Sequence, residues 1–173
     1  MRRKILFLIE SLGGGGAEKV LSTIVKHINT QKFEVTVCTI TAGGKYDEEV
    51  KRRVRLCSLL KSSEDYHGFE KILYWIKYHL IYDWLPQRWV YELFIPKGND
   101  VEIAFVEGFA TRLLSYSTNF KSKKIAWVHV DLKQRPWPVQ VGIYKDVEDE
   151  RAIYLRYDSV VCVSQSVEKI ILE

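Results

Sequence analysis

Lys4-Ile5-Leu6-Phe7-Leu8-Ile9-Glu10-Ser11-Leu12-Gly13-Gly14-Gly15-Gly16-Ala17-Glu18-Lys19-Val20-Leu21 decides the fold. Lys4 to Ile9 is a short apolar run bounded by a glycine cluster, the look of a strand buried on both faces of a parallel sheet. After the four glycines, Val20, Leu21, Ile24, Val25 and Ile28 recur at helical spacing, with Lys19, Lys26 and His27 on other faces. Strand, glycine turn and amphipathic helix make up the first half of a parallel crossover unit.

The same alternation continues along the chain. Glu34 to Ile40 reads as a β-branched strand, Tyr46 to Arg53 as a short charged helix and Val54 to Leu60 as a weaker strand. Gly68 to Ile95 is a long helical region in which Pro86 ends one helix or restarts another. Val101 to Val106 is a strand followed by Gly108, and Thr111 to Tyr116 begins a helix. Lys124 to Val130 is a strand; a loop with Pro136 and Pro138 follows, then a charged helix over Tyr144 to Tyr157. Ser159 to Val163 is the last strand, and Ser164 caps a final helix with Val167, Ile170 and Ile171 inward. About six strands alternating with helices predict an α/β fold: a Rossmann-like, doubly wound, mostly parallel sheet with helices on both faces.

Composition bounds the rest. A chain of 173 residues holds one domain with a core and is too short for two comfortable ones. A net charge of +4 is too mild for a dedicated nucleic-acid binder, and no nucleic-acid module is present. Cys38, Cys57 and Cys162 are odd in number and form no Cys-x-x-Cys pair, which argues against a disulfide framework or zinc ribbon and fits a cytoplasmic protein. His27, His67, His79 and His129 show no ligand spacing, so no metal site is expected. The apolar run before Glu10 is shorter than the ~7–15 residues of a signal-peptide core, and no uncharged run approaches the ~18–20 of a membrane span.

Four glycines at a strand-to-helix turn leave backbone N–H groups bare at a helix N-terminus, where an anion is stabilised. A dinucleotide site is argued against: counting from Gly13 or Gly14, the sixth position of Gly-x-Gly-x-x-Gly falls on Glu18 or Lys19, and Cys38 to Thr41 has no acid for a ribose. A Gly-Lys-Ser/Thr phosphate loop and a Gly-x-Ser-x-Gly elbow are absent. A plain flexible turn is the bland alternative, although such turns seldom need more than one or two glycines.

The opening segment closely resembles that of family 4 glycosyltransferases of the GT-B fold, with their Gly-Gly-x-Ala-Glu turn. Ile125 to Asp131 resembles the strand end that carries that family's active-site histidine, and Asp158 to Gln165 the segment closing its N-terminal domain. The resemblance implies that residues 1–173 form a single Rossmann-like N-terminal, acceptor-binding domain, and that the C-terminal nucleotide-sugar-binding domain is absent from the chain. It implies a retaining, bacterial-type hexosyltransferase acting on a nucleotide-sugar donor and a glycan or lipid-linked acceptor, in cell-surface polysaccharide or glycolipid synthesis. No cofactor and no obligatory metal are expected, and the isolated chain is expected to be inactive. Gly14, Gly15 and Gly16 would approach donor phosphates or acceptor, with Glu18 in the first helical turn holding the loop. His129 would touch the transferring sugar as a catalytic residue beside Asp131, and Glu107 and Ser164 would line the same cleft. The family's Glu-x7-Glu motif belongs to the donor half; Glu10 and Glu18 share its spacing but straddle the first turn, and are read as a coincidence.

Each of these residues also has a plain structural alternative: a satisfied polar residue for His129, a helix N-terminal acid for Glu107, an N-cap for Ser164. Lys133 and Arg135 follow the His129 strand and could meet a lipid-linked diphosphate or anionic headgroups at the cytoplasmic membrane face. The aromatic region from Tyr66 to Phe94 is read with Phe69, Ile72, Leu73, Ile76 and Leu80 on the core face. Tyr74, Tyr78 and Tyr82 form an outward stripe flanked by Trp75, either buried on both sides or contacting membrane or partner. A stand-alone interaction module using that stripe, and a nucleotide-sugar epimerase or dehydrogenase, are the rival readings.

Overall fold

The computed structural model describes residues 1–62 and 66–164. Six strands form one sheet: β1 (Arg3–Ile9), β2 (Phe33–Thr41), β3 (Arg55–Leu60), β4 (Val101–Ala104), β5 (Lys123–Val128) and β6 (Ser159–Cys162). Their order is β3-β2-β1-β4-β5-β6, and every pairing is parallel. This is the doubly wound order of a Rossmann-like sheet, reversing direction between β1 and β4. The expected "mostly parallel" sheet is parallel throughout.

Alternation along β1 builds the two core layers. Leu6 and Leu8 point to one face, with Cys38, Ile40 and Ala104. They pack under α4 (Gln87–Phe94) and α5 (Phe109–Leu114). Phe7 and Ile9 point to the other face with Val35, Val37 and Ile103, under α1 (Gly16–His27) and α2 (Asp47–Lys51). The apolar end of the strand, Leu6 to Ile9, is thus buried on both sides, as its sequence requires. Glu102, fully buried in β4, is satisfied by donors from Tyr91 (2.7 Å), Ser117 (2.6 Å) and Asn119 (3.1 Å), tying α4 and the α5–β5 loop to the sheet.

Several sequence expectations need correction. Val20 is 42% exposed, so the inward stripe of α1 rests on Leu21, Ser22 and Val25. The Tyr144 to Tyr157 helix is shorter, α7 (Val147–Tyr154), and the preceding loop contains a helical turn, α6 (Trp137–Gln140). Cys38 and Cys57, distant in sequence, are register partners across β2 and β3. The final helix expected after Ser164 lies outside the described residues.

The largest correction concerns α3 (Glu70–His79) and the π-helical turn Leu80–Trp84 that extends it. The face read as core is outside: Phe69 is 72% exposed, Ile72 and Leu73 each 52%, and Ile76 is exposed too. The face read as outward turns in: Tyr74 and Tyr82 pack against the core, while Trp75 and Tyr78 remain exposed. The reason is a polar partner. The Tyr82 hydroxyl donates to Glu10 (3.2 Å), and no aliphatic side chain offers that bond. The wider turn, closed by Leu85 N–H on the Leu80 carbonyl, accompanies burial of Ile81. Pro86 precedes the restarted helix α4.

These burials predict opposite costs. Leu8→Ala should lower unfolding free energy in urea by about 2–5 kcal/mol, whereas Ile72→Ser should change it by no more than about 0.5 kcal/mol. A large loss from Ile72→Ser would restore the original orientation of α3.

Candidate active site

In a doubly wound sheet, ligands bind beyond the carboxyl ends of the strands at the reversal of order. Here that edge carries the Gly13–Gly16 loop after β1, Glu107 after β4, His129 after β5 and Ser164 after β6. Four of the predicted features are thus brought to one edge of the sheet, following adjacent strands.

The glycine loop is held from below. The carbonyls of Glu10, Leu12 and Gly13 accept from the N–H groups of Thr41 (2.9 Å), Tyr46 (3.0 Å) and Lys45 (3.1 Å). Gly44 makes this close approach possible, since a Cβ there would lie 2.3 Å from the Leu12 carbonyl carbon. Gly14 and Gly16 are different. A Cβ on either would meet nothing within 4 Å, and neither has positive φ. The fold itself does not demand glycine there. A Cβ on Gly15, the N-cap of α1, would meet the Glu18 carboxylate, which lies against the loop. No side chain caps α1, so its first-turn N–H groups have no side-chain acceptor at the cap.

His129 is fixed by two neighbours. Its Nε2–H donates to the Phe105 carbonyl (2.8 Å), and because a carbonyl only accepts, the neutral ring keeps Nδ1 as its acceptor. Its backbone N–H donates to Glu107 (3.1 Å), and the ring lies parallel to Trp127 with centroids 6.1 Å apart. Glu107 is buried and positions the His129 backbone. Asp131 caps its own turn, accepting from the N–H groups of Lys133 (3.1 Å) and Gln134 (3.0 Å). Lys133 and Arg135 are exposed on this outer loop, and Ser164 is exposed beyond β6. Among the described residues, no cluster of three His, Cys, Asp or Glu side chains could hold a metal ion, and no helix is long and apolar enough to cross a membrane.

Two buried carboxylates lie outside the expected site residues. Glu10 follows β1 at the point of reversal. Burial pushes its carboxyl up to about 7, against hydrogen bonds from Tyr82 and from the Ala110 and Phe109 N–H groups at the start of α5. An acid closing the first apolar strand beside a glycine turn was a legible signal. Glu150 of α7 is 4% exposed, with Oε1 lacking a hydrogen-bond partner. Burial first, then the negative charge of Glu107, raises it to about 7. Nothing distinguishes it in sequence from the charged residues around it.

Glu150 ties stability to pH. Its folded value lies above its unfolded one, so its contribution is fully present below pH 4.5 and is lost as pH rises through 7. Glu150→Gln should therefore melt about 2–4 °C higher relative to wild type at pH 8 than at pH 5. A difference that does not change with pH would contradict the burial of an ionisable group.

A comparison with family models matches residues 14–173 to Glycosyltransferase Family 4. A search of curated proteins gives no match. The match runs from the glycine loop through α1, β4, β5 and β6, the segments that assemble this edge of the sheet, and the chain belongs to glycosyltransferase family 4.

Proposed function

We propose that the chain is the acceptor-binding half of a retaining hexosyltransferase of the GT-B fold, completed by a separate nucleotide-sugar-binding domain. The whole enzyme moves a sugar from a nucleotide donor to a hydroxyl of a glycan or lipid-linked acceptor, in cell-surface polysaccharide or glycolipid synthesis. The observation that carries this reading is the glycine loop in front of α1. Gly14 and Gly16 have no steric role within the fold, yet they front an α1 N-terminus with no side-chain cap.

Backbone that can be approached closely at a helix N-terminus suits the diphosphate of a donor or the charge on a departing one. His129 contributes Nδ1 as an acceptor for a sugar hydroxyl, and Glu107 holds the backbone that sets its position. Glu18 orders the loop. Rate acceleration then comes from positioning and from stabilising leaving-group charge, with no obligatory metal in the scheme. Asp131, Lys133, Arg135 and Ser164 border this arrangement, and the two cations suit an acceptor diphosphate.

A second reading is favoured by the exposed apolar face of α3. Phe69, Ile72, Leu73, Ile76 and Trp75 form a surface for a peripheral contact at the cytoplasmic membrane face. Co-sedimentation with phosphatidylglycerol vesicles, abolished by Ile72→Ser with Leu73→Ser, is the expected result; equal sedimentation of the double variant would remove this contact.

Transfer assays test the main reading. Residues 1–173 alone should transfer no sugar from UDP- or GDP-linked donors, whereas the polypeptide as made in its native cell should. In that polypeptide Gly14→Ala with Gly16→Ala should cut kcat/KM roughly tenfold or more without lowering the melting temperature. Transfer by 1–173 alone, or full activity of the double variant, would overturn the proposal.

A further inference from the structure

Cys38 of β2 and Cys57 of β3 stand opposite each other in the parallel ladder. Adjacent strands lie about 4.8 Å apart, and Cα atoms in register share that spacing, inside the ~4.4–6.8 Å that a disulfide spans. Both side chains point to one face of the sheet, in the core layer that holds Leu8, Ile40 and Tyr74. The two thiols share a hydrogen bond.

Their surroundings differ. Cys38 lies one strand in from the edge of the sheet and is 0% exposed. Cys57 lies on the edge strand and is half-buried, its Sγ–H donating to the Val37 carbonyl (3.7 Å). Arg55 precedes it by two residues on β3, hence on the same face, and is exposed. A small oxidant in solution therefore reaches one thiol of the pair and not the other.

We propose that Cys57 and Cys38 form a redox modification site, at which a hydroperoxide oxidises Cys57 to a sulfenic acid and Cys38 then closes a disulfide that staples the edge strand β3 to β2. The Cys57 thiolate attacks the terminal oxygen of the hydroperoxide. An S–O bond forms, the O–O bond breaks, and the other oxygen leaves and takes up a proton. The Cys38 sulfur gives up its proton and attacks the Cys57 sulfur. The S–S bond forms, the S–O bond breaks, and the hydroxyl leaves with that proton as water. The two thiols lose two electrons, and the hydroperoxide is reduced to water or an alcohol.

Electrostatics agrees with this division of roles. The hydrogen bond from Cys38 holds the Cys57 thiol below its ordinary range against the effect of burial, and the Arg55 charge acts in the same direction. The same hydrogen bond, with burial, pushes Cys38 well up. The nucleophile is the thiol that the oxidant reaches, and the resolving thiol is the one in contact with it. The spacing also makes the bridge reversible. Strands in register hold the Cα atoms closer than the ~5.5–6 Å commonest in disulfides, and a bridge away from its preferred geometry is more easily reduced. Labile disulfides are the regulatory ones.

The pair lies where a bridge can be felt. Tyr74 and Tyr82 pack against the same core layer, and Tyr82 also lines an aromatic-walled cleft of about 660 Å³ with Trp84 and Phe109. Thr41, three residues beyond Cys38 on β2, donates to the Glu10 carbonyl beneath the glycine loop (2.9 Å). Cys162 lies on β6 at the opposite edge of the sheet and serves as the internal comparison.

The test treats the reduced 173-residue chain with a few equivalents of hydrogen peroxide in native buffer, alkylates the remaining thiols and reads the intact mass and the tryptic map. We expect alkylation at Cys162 alone and a cross-linked peptide joining 33–45 to 56–61, with dithiothreitol restoring alkylation at all three cysteines. Cys38→Ala should leave a sulfenic acid at Cys57 that dimedone labels, whereas Cys57→Ala should leave Cys38 unlabelled. Circular dichroism checks both variants for a retained fold, and the wild-type map needs neither. Three alkylated cysteines after peroxide, Cys57 carried on to a sulfinic acid without a bridge, or a cross-link to Cys162 or between two chains would overturn the site. So would a Cys38–Cys57 bridge that forms only in urea, or equal dimedone labelling of the lone thiol in the two variants.

Discussion

The carboxylate of Glu10 sits where three parts of the molecule must agree. It follows β1 at the reversal of the sheet, accepts from the Ala110 N–H at the start of α5 (3.1 Å), and accepts from the Tyr82 hydroxyl (3.2 Å). Its backbone carbonyl accepts from Thr41 (2.9 Å), so the residue also joins the support beneath the glycine loop. Burial of this carboxylate is unfavourable, and the pKa shift to about 7 records it. The compensation is positional: one side chain registers the loop, α5 and the π-helical turn against each other. A residue that costs stability where it orders a ligand-facing edge is the usual signature of a functional site.

That constraint explains what the sequence could and could not convey. The opening strand, glycine turn and α1 were readable because period, glycine cluster and amphipathic face agree locally, and the remaining strands followed from the same alternation. The orientation of α3 was not readable, because the helix is amphipathic in two ways. Its aliphatic face and its tyrosine face are both plausible cores, and the choice is made by a hydrogen bond to a residue 72 positions earlier. Glu10 itself offered a signal, an acid ending the first strand, but its spacing from Glu18 drew attention to a motif that belongs elsewhere. Strand-end placement of His129 and Glu107 was legible. Their mutual contact through the His129 N–H, and the use of Asp131 on its own turn, depend on tertiary geometry. Glu150 sits among similar charges from Asp146 to Arg151 and differs from them only in burial.

Family membership and geometry meet at the same edge. The glycine loop, the His129 ring anchored on Phe105, and the cleft lined by Tyr82 are carried by separate elements of one sheet. Loop, histidine and cleft all hang on strands and helices, so small errors in packing would shift them directly.

The most direct test of this account is a carboxyl ¹³C titration of Glu10 in the labelled protein, with the Tyr82 ring followed in the same spectra. A midpoint near pH 7, with the Tyr82 resonances moving at that same midpoint, is the predicted result. A midpoint in the ordinary range near 4.5, or a Tyr82 ring indifferent to the titration, would mean that Glu10 does not couple the reversal of the sheet to the aromatic cleft.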